Sequence, residues 1–266
     1  MKLRQALVGH LSAKELAYAP SAYDMVGDIA LFNEIPKELK RKERVIAEAL
    51  LKINAHIKVV GKKARKYSGK LRLPKITIIG GERRKETIHK ENNCMVKLDV
   101  EKCYFSARTG TERLRIMNQV KKNESVLVLF SGVAPLPCEI AKNTKVKEVY
   151  GIELNKVAHK YAVENVKINK VKNVFLFQGD VKKVLPRMQK KFDRIVLPLP
   201  KNAEKYLDSA LKKLKSKGIV HLYSFAKEED IPVIKKKYQK KFRSVNIIKC
   251  GNYAPHVYRI CLDLKK

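Results

Sequence analysis

Five consecutive apolar residues at 126–130 interrupt a chain in which charged side chains recur every few positions. A short unbroken apolar run reads as a strand buried on both faces, as in a parallel sheet. A small-residue turn follows at 131–135, and the pattern becomes helical at 138–142. Residues 149–153 form a second such strand, ending in an acid, and 173–180, 192–200 and 218–223 form three more. A helix is expected over 203–217 and another over 230–240, with 245–249 and 256–264 as a closing hairpin. Alternating strands and helices predict an α/β domain with a mostly parallel sheet.

Upstream the elements are shorter. Ser12 is placed to cap a helix. Residues 23–31 read as one strand bent at Gly27, and 36–51 as an amphipathic helix. Its apolar side carries Leu39, Val45, Ile46 and Leu50, and its polar side Lys37, Lys40, Arg41, Lys42 and Arg44. Residues 57–60 read as a strand and 62–72 as a basic turn with one aromatic. Strands follow at 73–79 and 86–89, and 94–100 alternates. The expected organisation is a short segment (1–20), a basic α+β module (21–110) and the α/β domain (111–266). Thr111 is expected to cap the helix that opens the last domain. Glu112 then falls in its first turn, where the helix dipole favours a negative charge.

Composition narrows the class. With 45% apolar residues in 266, a sizeable core is available. No apolar run reaches the roughly 18 residues of a membrane-spanning helix, and no signal-peptide core is visible, so a cytoplasmic protein is expected. Cys94, Cys103, Cys138, Cys250 and Cys261 are scattered, which reads as reduced thiols rather than disulfides or a metal site. Lys and Arg total 59 against 26 acids, a net charge of +33. Lysine-rich thermophile surfaces carry matching acids for ion-pair networks. Here the acids are too few, and the excess points to a nucleic-acid partner. The candidate RNA contacts are Lys62, Lys63, Arg65 and Lys66 in the basic turn, Arg108 and Arg113 near the domain joint, and Asn202.

The strand tips carry the candidate chemistry. Gly132 has no Cβ, so a ligand can approach its backbone closely; an ordinary strand-to-helix turn would look the same. Glu153 stands where a carboxylate takes the two hydroxyls of a ribose. Asp180 ends the third strand, and Pro198 and Pro200 the fourth. A dehydrogenase would show a G-x-G-x-x-G turn, and none is present. The order of elements is that of the S-adenosylmethionine-dependent Rossmann-like methyltransferases. The candidate cofactor contacts are Phe130, Gly132, Val133, Glu153, Leu154, Asp180, Val181, Pro198 and Pro200.

Seven stretches extend the likeness: YDMVGDIA (23–30), ETIHKEN (86–92), VEKCYFSAR (100–108), TERLRI (111–116), FSGVAP (130–135), GIELN (151–155) and DRIVLPLPK (193–201). Together they resemble the archaeal and eukaryotic tRNA (guanine-N1)-methyltransferases that act at position 37, beside the anticodon. The resemblance implies a class I methyltransferase domain with a seven-stranded, mostly parallel sheet, preceded by a smaller α+β RNA-binding domain. It implies S-adenosylmethionine (AdoMet) as cofactor. No metal is expected, since methyl transfer needs none and no metal-ligand spacing appears, and the protein is expected to be a monomer acting on the tRNA anticodon stem-loop. It puts the catalytic glutamate on Glu112, the catalytic arginine on Arg72 and a cofactor-contacting tyrosine on Tyr104. The chain departs from the family at Val128, where Asp is usual, at Ala134, where Gly is frequent, and at Pro198, where Asn is frequent. The domain that some members place at the N-terminus is reduced to about 20 residues.

Guanine N1 carries a proton, so methylation there needs a base, and a cationic donor would stabilise charge developing on O6. Glu112 and Arg72 meet those needs. Two other activities fit the same fold: aminocarboxypropyl transfer to a wyosine precursor, or methylation of its tricyclic intermediate. A non-catalytic RNA-binding protein is the alternative of a different class.

Overall fold

The computed structural model describes residues 1–69, 71, 73–199 and 201–266, without the side chains of residues 65–68. Arg72 and Pro200 lie outside the described residues, as do the side chains of Arg65 and Lys66. By internal contacts the chain forms two units, residues 1–91 with 95–108, and residues 92–94 with 109–266.

The first unit opens with α1 (Leu3–Ala6) and α2 (Ala13–Ala17). Ser12 caps α2 through the Glu15 N–H, and the Glu15 carboxylate accepts from the Ser12 N–H in return. Next come β1 (Asp24–Val26), β2 (Ile29–Phe32) and α3 (Glu43–Ile53). The unit continues with β3 (Val59–Ser68), β4 (Leu73–Gly81), β5 (Glu86–Glu91) and β6 (Cys94–Asp99). The first four strands make one sheet in sequence order, and β5 and β6 pair separately. The α3 residues Ile46, Ala47 and Leu50 pack with Phe32, Val60 and the N-terminal Leu3, Leu7 and Leu11.

Three expectations are corrected here. Residues 23–31 are two antiparallel strands, not one bent strand. Gly27 turns between them at φ +56°, and a Cβ there would lie 2.1 Å from Thr87 Oγ1. The helix expected at 36–51 is 3₁₀ over Lys37–Lys42 and α-helical only from Glu43. The basic stretch is only in part a turn: β3 carries it in a ladder with β4 as far as Ser68. Partners outside the sheet satisfy two of its lysines, since Lys62 meets Glu43 of α3 at 2.5 Å and Lys63 meets Asn33, just after β2, at 2.6 Å.

The second unit begins with α4 (Gly110–Asn118), followed by β7 (Ser125–Leu129), α5 (Pro135–Asn143) and β8 (Glu148–Glu153). Then come α6 (Lys156–Ile168), β9 (Val174–Gln178), α7 (Val181–Arg187) and β10 (Phe192–Leu197). It closes with α8 (Leu207–Lys212), β11 (Leu214–Lys227), α9 (Ile231–Gln239), β12 (Ser244–Ala254) and β13 (Val257–Lys265). Seven strands form one sheet in the order β12-β13-β11-β10-β7-β8-β9. Strands β9, β8, β7, β10 and β11 run parallel, while β13 is antiparallel to both β11 and β12.

Side-chain alternation along β7 builds two cores. Leu127 and Leu129 join Ile152, Ile195 and Leu197 in one, and Val126 and Val128 join Ile116, Ile140 and Val149 in the other. Each fully buried Val or Leu contributes about 1.5–3 kcal/mol. That explains why β7 is apolar from Val126 to Leu129, as a central parallel strand requires. Two boundaries differ from expectation. Thr109, not Thr111, holds the N-cap position of α4, so Thr111 lies inside the helix. The helix expected to reach residue 217 stops at Lys212, because Leu214 already pairs with Phe192 in the sheet.

Candidate active site

The cofactor half of the site is the turn from β7 into α5. Phe130, Gly132 and Ala134 all have positive φ, at +56°, +59° and +60°. Ala134 is left-handed at the N-cap position of α5, with Pro135 beginning the helix. A left-handed Ala costs about 1 kcal/mol relative to Gly, so an alanine at this position carries strain that a glycine would not. Glu153, at the end of β8, fixes the turn from the side. Its Oε2 accepts from the Gly132 N–H at 2.8 Å and its Oε1 from the Asn155 N–H at 2.7 Å. Burial pushes the Glu153 carboxyl above its ordinary pKa, and the backbone hydrogen bonds only partly offset that.

The neighbouring tips complete this edge. Asp180 caps α7 by accepting from the Lys182 N–H at 2.9 Å. The Phe130 ring meets Tyr206 edge-on at 4.9 Å. Ser131 Oγ is buried without a hydrogen-bond partner. The side chains of Val133 and Val181 are buried in the core, so only their backbone is available to a ligand. Leu154 and Pro198 sit at the tips of β8 and β10. The structure thus brings Phe130, Gly132, Val133, Glu153, Leu154, Asp180, Val181 and Pro198 to the carboxyl edge of one sheet, the place where open α/β sheets bind nucleotides. Tyr104 belongs to the first unit. Val128, at the position where Asp is usual, is an apolar core residue.

The second half is built around Glu112, which is 6% exposed. Arg115 donates from Nε to its Oε2 and from Nη2 to its Oε1, both at 2.8 Å. The Tyr223 hydroxyl donates to Oε1 at 2.6 Å. Arg115 reaches further, from Nη1 to Asp263 Oδ2 at 2.7 Å. Asp263 Oδ1 lies 2.6 Å from His221 Nδ1, and Arg194 Nη1 lies 2.5 Å from His221 Nε2. A guanidinium can only donate, so Nε2 accepts and the proton sits on Nδ1, facing Asp263. Arg194 ends the chain on Glu124, with Nε–Oε2 at 2.9 Å.

Charge and burial work against each other along this chain. Burial raises the Asp263 carboxyl, but hydrogen bonds from His221 and Arg115 outweigh it and hold its pKa well below the ordinary value. Burial lowers the His221 pKa, keeping the ring neutral. Burial also pushes the Tyr223 hydroxyl well above its ordinary pKa, so it remains a donor to Glu112. His221, Cys261 and Asp263 lie close enough together to resemble a metal-ligand set. Arg115 and Arg194 already occupy Asp263 and His221, and two guanidinium groups would repel a cation there.

Of this network the sequence pointed only to Glu112. Arg115 was detectable one helical turn on, as an i,i+3 ion pair. Tyr223, His221 and Asp263 carried no local signal, because strand pairing alone brings them to Glu112. The candidate RNA residues scatter. Arg108 pairs with Asp24 at 2.5 Å in the first unit. Arg113 is held by Thr109 at 2.6 Å and by Glu139 at 3.3 Å, with its side chain only 11% exposed. Asn202 lies in a left-handed turn with an exposed side chain.

Comparison with known proteins decides the family. The sequence model of the TRM5/TYW2 methyltransferase domain matches residues 87–248, and that of the TYW2 N-terminal domain matches residues 3–84. The chain belongs to the TRM5/TYW2 methyltransferase family. It is 36% identical over 256 residues to tRNA (guanine(37)-N(1))-methyltransferase Trm5b of Pyrococcus abyssi, covering 93% of this chain and 76% of the relative. It is 34% identical over 255 residues to tRNA 4-demethylwyosine(37)-methyltransferase Taw21 of Saccharolobus solfataricus, covering 91% of this chain and 92% of the relative. The fold matches the structure of aTrm5 in complex with tRNALeu at a TM-score of 0.85 and 28% identity, over 100% of this chain and 78% of the other. It matches TYW2 of Methanocaldococcus jannaschii in complex with AdoMet at a TM-score of 0.68 and 26% identity, over 92% of this chain and 98% of the other. As a TRM5/TYW2 methyltransferase the protein has the class I fold and uses AdoMet as cofactor. Its residues fit that group: a half-buried acid at the second strand tip, a glycine at positive φ in the turn it holds, and an unpaired buried hydroxyl on Ser131 beside it.

Proposed function

We propose that the chain transfers a methyl group from AdoMet to N1 of guanosine at position 37 of tRNA. The observation that carries this reading is the Glu112 carboxylate, held by three donors within the unit that also carries the cofactor turn. When bound, AdoMet supplies a methyl on a sulfonium, already electrophilic enough to need no metal. The protein must make the acceptor nucleophilic. Glu112 takes the N1 proton as the new N–C bond forms and the methyl–sulfur bond breaks, leaving its electron pair on sulfur, while Arg115 and Tyr223 fix the direction in which the carboxylate lone pair points. Arg72 is assigned to O6, where a cation stabilises the developing charge. Glu153 holds the ribose, and a charge-assisted contact of that kind contributes about 1.5–3 kcal/mol.

The +33 charge supports an RNA substrate. So do the names of Trm5b of Pyrococcus abyssi and of aTrm5 with tRNALeu. We place the chain in the cytoplasm as a monomer acting on the anticodon stem-loop. The base must be extruded from its stack to reach a carboxylate this deeply set.

One observation favours a second acceptor. The N-terminal match is to the TYW2 type, and the chain spans 92% of the Taw21 relative against 76% of Trm5b. On that reading the same site acts on the tricyclic 4-demethylwyosine base, by methylation or by aminocarboxypropyl transfer, the activity named for a Methanocaldococcus jannaschii relative of which this chain covers 97%. Nucleoside mass spectrometry separates the two, using one unmodified tRNA transcript and one tRNA carrying 4-demethylwyosine. Methylation of the plain transcript supports guanosine as acceptor; methylation or aminocarboxypropylation of the tricyclic tRNA alone supports the second reading, and modification of neither overturns both.

A further inference from the structure

One face of the strands β11 to β13 carries Phe225, Tyr253 and Arg259, which the methyl-transfer scheme leaves unused, beside Tyr223, which it does use. Tyr223 and Phe225 project from the same face of β11, and Arg259 of β13 pairs with Phe225 in register. The Arg259 guanidinium lies 4.8 Å over the Tyr223 ring. Phe225 packs against Tyr253 of β12, with centroids 4.2 Å apart and planes at 34°. Tyr253 is 66% exposed. A strip therefore runs from Glu112 through Tyr223 and Arg259 to an open aromatic ring.

Two features show that this strip is unfinished. Arg259 Nε is buried without a hydrogen-bond partner, and among the described residues no carboxylate pairs with its guanidinium. Tyr253 falls between Asn252 and Ala254, where the β12–β13 register shifts, shortly after another shift at Gly251. Such bulges re-aim side chains, and this one lifts a ring out of the ladder. An exposed aromatic beside an uncompensated cation is the combination that holds single-stranded nucleic acid, because the ring stacks on any base and the cation takes a phosphate. A second copy of this chain, equally basic, or an apolar peptide would leave the charge of Arg259 unmatched.

We propose that Tyr253, Phe225 and Arg259 form a subsite for the nucleotide flanking the target base, with the base stacked on Tyr253 and a phosphate on Arg259. This rests on RNA being the substrate. Extruding the target base strips its neighbour of a stacking partner, and the strip supplies a replacement within the same unit as Glu112.

The test uses the full chain and two anticodon stem-loop RNAs, with 2-aminopurine placed directly 5′ or directly 3′ of the target nucleotide. Wild-type protein should quench one of them on binding. Tyr253→Ala should bind about tenfold more weakly and lose the quench, with AdoMet affinity unchanged. Tyr253→Trp should keep both. Arg259→Gln should weaken binding and lower the salt slope by about one phosphate contact. If Tyr253→Ala binds and quenches like wild type, or Tyr253→Trp fails as Ala does, the subsite is overturned while the methyl-transfer reading stands. If wild-type protein binds neither stem-loop, both fall.

Discussion

Both carboxylate oxygens of Glu112 accept hydrogen bonds from Arg115, one turn along the same helix. With the Tyr223 hydroxyl added, three of the carboxylate's roughly four lone-pair positions are taken. The remaining one has a fixed direction. A base held this way is aimed rather than mobile, and its aim depends on residues that never touch the substrate.

Arg115→Gln should therefore damage both folding and chemistry. Removing one partner of a buried ion pair leaves the other uncompensated, and here two acids, Glu112 and Asp263, would be left. The expected loss is about 3 kcal/mol in urea unfolding at neutral pH. In single-turnover assays the rate should fall while AdoMet affinity is retained. Wild-type stability in this variant would show that the pair contributes little.

Glu153 makes AdoMet affinity depend on pH. Its carboxyl is held above the ordinary value by burial, so the ionised form that binds ribose accumulates only at higher pH. AdoMet affinity should rise as pH increases from about 4.3, the ordinary glutamate value, through the raised value of Glu153. Its effect on stability has the opposite sign, because the folded protein holds this proton more tightly than the unfolded chain and loses that advantage as pH rises through the same window. Calorimetry across pH should show the affinity trend in the wild type and a flat, weaker response in Glu153→Gln. A flat wild-type response would remove Glu153 from the site.

RNA affinity should fall steeply with added salt, since bound phosphates release counterions. Lys62 and Lys63 should contribute little to that slope. Lys62 is paired with Glu43, and the Lys63 side chain is only 8% exposed, against Asn33 and Asp24. Filter binding of Lys62→Ala and Lys63→Ala from low to high salt should give slopes close to wild type. A slope reduced by one contact in either variant would return that lysine to the RNA surface.

What the sequence revealed follows from locality. Strand β7 was legible because a central parallel strand must be apolar on both faces, and Glu153 because strand and acid adjoin. The capping box at Ser12 and Glu15 is equally local. The start of β11 was hidden because Lys215, Ser216 and Lys217 are exposed and polar, although they continue a strand that Leu214 anchors. Basic β3 read as part of a turn because Lys62 and Lys63 find their partners only once the fold is formed. The support of Glu112 was hidden for the same reason: Tyr223 and Asp263 reach it across sequence separations of 111 and, through Arg115, 148 residues.

The central claim is that Glu112 removes the proton from the acceptor base. Glu112→Gln keeps the shape and most hydrogen bonds but cannot take that proton. With saturating AdoMet and an unmodified tRNA transcript, the single-turnover rate should fall at least about 100-fold, with AdoMet and tRNA dissociation constants near wild type. A Glu112→Gln rate within a few-fold of wild type would contradict the account and leave Glu112 as the acid of a buried structural network.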